Sequence, residues 1–184
     1  RVAVGSGDSH ARLVLAWLRQ RSETADSQLH NPGKRERYSG VNVIFGNMST
    51  LSWQSNRTSD SRTSPSGISG LSNELLDSPW HKIIYGKHLF GQMLTRSFNS
   101  DTFFELLSNR TPANGIDSKI SSFSPTLSAA QSSIFIEGSL YGTRSSTVLL
   151  VDGQNQVQLV ERSYDPDATI TCENRLNFQL QPSV

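Results

Sequence analysis

Among side chains able to bind a metal or attack a carbonyl, the chain offers four histidines, His10, His30, His81 and His88, and a single cysteine, Cys172. No two histidines stand four residues apart, the spacing that sets a ligand pair on one helix face, and Cys172 has no second thiol for a metal site or a disulfide. His81 and His88 are seven residues apart and could share a helix face, but they are read as part of a solvated polar surface. The chain also lacks a Gly-x-Ser-x-Gly elbow and a phosphate-binding glycine loop. No metal and no cofactor are therefore expected, and this chain alone is not expected to run nucleophilic catalysis.

Any polar chemistry that remains must be positioned by two stretches. In the first, Gly70 to Phe90, Gly70–Asn73 reads as a turn; Ser78 is expected to cap a helix and Pro79 to occupy its first position, where a missing N–H costs nothing. Trp80, Ile83, Ile84, Phe90, Met93 and Leu94 follow at three- and four-residue spacing, which predicts an amphipathic helix. In the second, Ser133 to Ser163, apolar β-branched runs flank Asp152-Gly153 and predict an antiparallel hairpin, with Arg144 near a strand end. Strands are expected at 133–137, 145–152, 156–162 and 176–180. An earlier strand is expected at 41–45, a helix capped by Asp8 or Ser9 buries Leu13, Val14, Trp17 and Leu18, and a helix capped by Ser100 or Asp101 buries Phe103, Phe104, Leu106 and Leu107. Helices followed by a run of antiparallel strands make an α+β pattern.

Composition narrows the partners. The 184 residues suit one domain, 1–184. A formal net charge of +1 with 18% charged residues creates no field that would imply nucleic acid or an anionic membrane. The lone cysteine fits a reducing compartment, and no apolar run approaches the ~20 residues of a membrane-spanning helix, so no transmembrane segment is expected. Serine is the outlier at 30 residues, and its concentration makes 49–72 a Ser-rich loop, with a short strand near 51–54. Residues 111–128, with Pro112, Gly115 and Pro125, read as a polar loop.

GLSNELLDSPWHK, then YGTRSSTVLLVD followed by VERS, together with YSGVNVIFGNMST at 38–50, resemble the transport and Golgi organisation protein 2 family, also called NRDE after an Asn-Arg-Asp-Glu motif. The resemblance runs from about Gly5 to Ser163. Members of that family begin Met-Cys and carry Asn-Arg-Asp-Glu soon after; here Asn56-Arg57 and Asn109-Arg110 are each followed by Thr, so the chain reads as the C-terminal portion of a longer NRDE domain. The resemblance implies an N-terminal-nucleophile-hydrolase-like layered αββα sandwich, incomplete in this chain. It also implies a role in Golgi organisation and protein secretion, lipid or haem handling, a small amphiphilic ligand, and a cytoplasmic location associated with Golgi or mitochondria. The alternative it implies is amide hydrolysis by an N-terminal cysteine supplied by the absent segment.

It places Asn73, Tyr141 and Arg144 at the ligand and near that centre. There Asn73 would donate its amide to an oxyanion, and the planar fork of Arg144 would hold a carboxylate or polarise a carbonyl. The structural alternatives are that Asn73 bridges the turn before the helix and that Arg144 pairs with Glu161 across the hairpin.

Overall fold

The structure, a computed structural model, describes residues 40–47, 50–58, 61–64, 66–112 and 132–181. The helix expected around 13–18 and most of the 111–128 loop lie outside the described residues. The chain divides into two compact units between Ser78 and Pro79.

In the first unit, β1 (Asn42–Gly46), β2 (Leu51–Ser55) and β3 (Ser61–Ser64) form an antiparallel sheet in that order. β1 meets the strand expected at 41–45, and β2 meets the one expected near 51–54. β3 is an addition inside the Ser-rich stretch, where serine alternating with arginine and threonine gave no apolar signal. Trp53 is buried, and its indole N–H needs a partner there. It donates to Asn42 Oδ1 at 3.2 Å, and the Asn42 amide donates in turn to the Glu74 carbonyl at 3.0 Å. This relay fastens the segment around Asn73 to the sheet.

In the second unit, α1 (His81–Leu94) and α2 (Ser100–Leu107) accompany β4 (Ser145–Val151), β5 (Gln156–Tyr164) and β6 (Ile170–Gln179). The strands are antiparallel in the order β4-β5-β6. Val148 faces Val160 across the first ladder, and both pack on Phe103 and Phe104; Phe90, Met93, Leu107 and Leu150 close around them. Two-residue alternation along β4 puts Val148 and Leu150 on the helix side and leaves Leu149 outside, 60% exposed. The architecture is α+β, as expected.

Three local expectations are corrected. Ser78 does not cap a helix: its backbone N–H and its hydroxyl both donate to the Leu75 carbonyl, at 3.1 and 2.8 Å, and α1 starts after an extended Trp80 that has no side-chain cap. At α2 the cap is Asn99, one residue before the expected pair, in a reciprocal box with Thr102. Residues 133–137 are not a strand. The Phe135 N–H goes to the Asn109 carbonyl at 2.8 Å and the Ile136 N–H to the Thr143 hydroxyl at 3.0 Å, so no ladder forms although Phe135 is buried.

The two hairpin turns repeat one device. Asp152 accepts from the N–H groups of Gln154 and Gln156, both at 2.9 Å, while Asn155 takes a positive φ of 61°. Asp165 accepts likewise from Asp167 and Thr169 at 2.9 and 2.8 Å, and there Ala168 sits at φ 61°. A Cβ in the left-handed region costs about 1–2 kcal/mol, which glycine avoids. Ala168→Gly should therefore raise stability by about 1 kcal/mol, less what glycine's looser unfolded chain gives back; a urea titration of both proteins reads the difference.

Arg162 joins helix to sheet. Its guanidinium lies 4.0 Å over the Phe104 ring and bonds Asp101 at 2.6 Å and Glu173 at 2.8 Å, with Arg175 on Glu173 from the other side at 3.1 Å. Hydrogen bonds from Arg162 first, then Arg175, hold the Glu173 carboxyl below the usual range. A depressed carboxyl contributes stability above its unfolded pKa of about 4.3 and loses it as pH falls through the lower folded value. Thermal melts across acid pH should show that loss in the wild type and a flatter profile in Glu173→Gln.

Candidate functional site

The YGTR motif builds a loop and does not leave its arginine free. In residues 136–144 the Thr143 N–H donates to the Ile136 carbonyl at 2.8 Å, and the Thr143 hydroxyl takes the Ile136 N–H. Arg144 donates through Nη2 to the carbonyls of Gly138 and Ser139, at 2.9 and 3.3 Å, and through Nη1 to that of Thr143 at 3.4 Å. Gly142 has no room for a side chain, since a Cβ would lie 2.9 Å from each of Ile136 O, Gly138 O and Arg144 Nη1. The closed loop displays Leu140, fully exposed, and Tyr141, 57% exposed. Tyr141 and Arg144 therefore share one loop, immediately before β4, as the sequence placed Arg144. The alternative pairing of Arg144 with Glu161 is not made: Glu161 Oε2 accepts from the Thr147 hydroxyl at 3.1 Å.

Asn73 lies in the first unit, in a loop closed by Gly70 and Asp77. The two residues exchange backbone and side-chain bonds, Gly70 N–H to Asp77 Oδ1 and Asp77 N–H to Gly70 O, both at 2.8 Å. The Asn73 carbonyl takes the Arg57 guanidinium at 2.7 Å, and the residue is exposed. That contact ties Asn73 to the residues after β2, and the turn itself is closed by Gly70 and Asp77.

Of the two described histidines, His88 is exposed as the solvated reading expects, whereas His81 departs from it: its Nε2 is buried and has no hydrogen-bond partner among the described residues. His81 stacks on Tyr85 at 5.5 Å between centroids, and His88 Nε2 lies 3.1 Å from Gln92 Nε2, one turn along α1. Among the described residues no group of three or more His, Cys, Asp or Glu could hold a metal ion. Beside His81, burial pushes the Lys82 ammonium below its ordinary pKa, with Nζ 5.6 Å from the centre of the Trp80 ring.

Among the described residues, an apolar concavity lies elsewhere. A cavity of about 220 Å³ opens between the helices and β4, lined by Phe90 of α1, by Phe103, Leu106 and Leu107 of α2, and by Val148 and Leu150, with Thr147 and Leu149 at its border. Small-molecule sites are concave and mostly apolar, with few polar groups; this one shares the apolar lining but is smaller than the roughly 300–1,000 Å³ of a drug-sized site, which suits a slender chain. By sequence, Phe103, Leu106 and Leu107 are expected inside and Phe90 on the apolar side of its helix, while Val148 and Leu150 belong to an apolar strand run with no side assigned. The groove has no local sequence signal: among the described residues β4 stands at the end of its sheet, and strand order is set by topology. No helix among the described residues is long and apolar enough to cross a membrane.

Comparison with known proteins adds the family. The family described as Transport and Golgi organisation 2 matches residues 5–166. The chain is 28% identical over 160 residues to the mouse (Mus musculus) protein named Transport and Golgi organization 2 homolog, with 78% of this chain and 58% of that protein covered. It is 29% identical over 160 residues to the human (Homo sapiens) Transport and Golgi organization protein 2 homolog, with the same shares covered. To the bovine (Bos taurus) homolog it is 32% identical over 125 residues, covering 61% of this chain and 45% of that one. The chain thus spans less than three-fifths of the length of the curated relatives it matches.

Proposed function

The chain belongs to the Transport and Golgi organisation 2 family, and from there we propose that it serves Golgi organisation and protein secretion by binding a small amphiphile. The tail enters the groove between α2 and β4. The observation that carries this reading is the groove itself, a cavity of about 220 Å³ with Phe90, Phe103, Leu106, Leu107, Val148 and Leu150 around it. Its apolar wall offers a tail a place out of water, at about 25 cal/mol per Å² of surface covered.

Arg144 stands three residues before Thr147 on the same run of chain, about 10 Å along it at strand spacing. In this proposal the loop carrying Tyr141 and Arg144 meets the polar head, and an anionic head exchanges with the loop carbonyls for the guanidinium. The layered αββα sandwich belongs to the same proposal; two three-stranded antiparallel sheets and two helices are compatible with it.

Decanoate tests the reading. It should bind the wild-type chain saturably, and Leu107→Trp, which fills the groove, should weaken it at least about tenfold, or ~1.4 kcal/mol. Arg144→Ala should weaken decanoate but not decanol. Equal binding by wild type and Leu107→Trp would refute the groove as the site.

A further inference from the structure

All ten residues of β6 are exposed, Ile170 at 52%, Leu176 at 58% and Phe178 at 48% among them. Among the described residues the strand has β5 on one side and no neighbour on the other. It also lies beyond residues 5–166, the span that matches the family. A long open edge presents unpaired N–H and C=O groups, a template for another strand.

Ladder geometry says which groups are open. The Leu180 N–H donates to the Asn155 carbonyl at 3.0 Å, and antiparallel hydrogen-bonded pairs recur every second residue, so even-numbered residues of β6 bond to β5. Glu173, Arg175 and Asn177 therefore turn their backbone groups outward. The ladder shifts register at Ser163/Tyr164, which limits the regular edge at its Cys172 end.

We propose that two copies of this chain pair antiparallel through β6, about a two-fold axis at Asn174. Three symmetric registers use the outward groups near the strand centre. An axis at Glu173 sets the two glutamates opposite each other, and an axis at Arg175 does the same with the arginines; like charges directly opposed are destabilising. The axis at Asn174 sets each Glu173 opposite the other copy's Arg175, twice over. It also sets Cys172 opposite Leu176 and Asn174 opposite itself in the closely spaced, non-hydrogen-bonded positions. The surface is self-complementary, as a two-fold interface must be. The resulting sheet would run six strands, β4-β5-β6 and its symmetry mate.

Sedimentation of the whole chain over a concentration series, with single-cysteine cross-linking, tests this. The wild type should show a reversible monomer–dimer equilibrium, and Arg175→Glu should weaken the dimer by roughly tenfold. Circular dichroism confirms that this variant folds. In a Cys172→Ser background, Asn174→Cys should form a disulfide dimer on mild oxidation, because facing Cβ atoms about 4.5–5.5 Å apart lie near disulfide range. Glu173→Cys and Arg175→Cys in that background should not. A monomer at every concentration, or cross-linking strongest at 173 or 175, would overturn the proposal.

Discussion

Phe104→Ala should cost the second unit about 3–5 kcal/mol, the range for removing a buried aromatic ring. Phe104 is 1% exposed, at the centre of the cluster with Phe103, Val148 and Val160, so its removal leaves a void that α2 and β4 cannot both close. The ring is also the platform under Arg162, whose guanidinium lies 4.0 Å above it and links Asp101 to Glu173. Losing the ring therefore loosens a polar tie along with an apolar one. Single domains are marginally stable, at roughly 5–15 kcal/mol, so the variant should be largely destabilised at room temperature. Urea unfolding followed by far-ultraviolet circular dichroism measures it, and a loss under 1 kcal/mol would show that Phe104 is not central to this core.

The second large effect is expected at Gly142, where the backbone packs too closely for any side chain. Gly142→Val should cost about 1–3 kcal/mol through overpacking, because even one Cβ would press on two carbonyls and on the Arg144 guanidinium. The variant should release Arg144 from Gly138 and open the loop that holds Tyr141. Amide exchange at Ile136 and Thr143, the two N–H groups that close the loop, reads this directly. Unchanged protection at both would show that the loop stays closed without the glycine.

Much of the second unit was legible because its signals are local. The Val148–Val151 and Val157–Val160 runs around Asp152-Gly153 specify a hairpin by alternation and turn chemistry, and the hairpin forms in register with Val148 opposite Val160. What failed depended on competing hydrogen-bond partners, near or far along the chain, that composition does not rank. Residues 133–137 carry a strand's composition, yet Asn109 and Thr143 take their amides first. Ser78 has the right type and place for a cap, but the carbonyl three residues behind it holds the hydroxyl.

The site divides the same way. Asn73 and Arg144 stood out by motif, and both prove to be built into closed loops, Asn73 through its carbonyl and Arg144 through its guanidinium. The groove had no motif, because Leu106, Leu107, Val148 and Leu150 look like any core residues until the fold leaves one side of them open.

The groove carries the account, and a nitrogen–proton correlation spectrum during a decanoate titration tests it most directly. Saturable shifts should concentrate on the amides of Phe103, Leu106, Leu107 and residues 147–150. Shifts absent from those amides at saturation, or centred on another part of the chain, would contradict it.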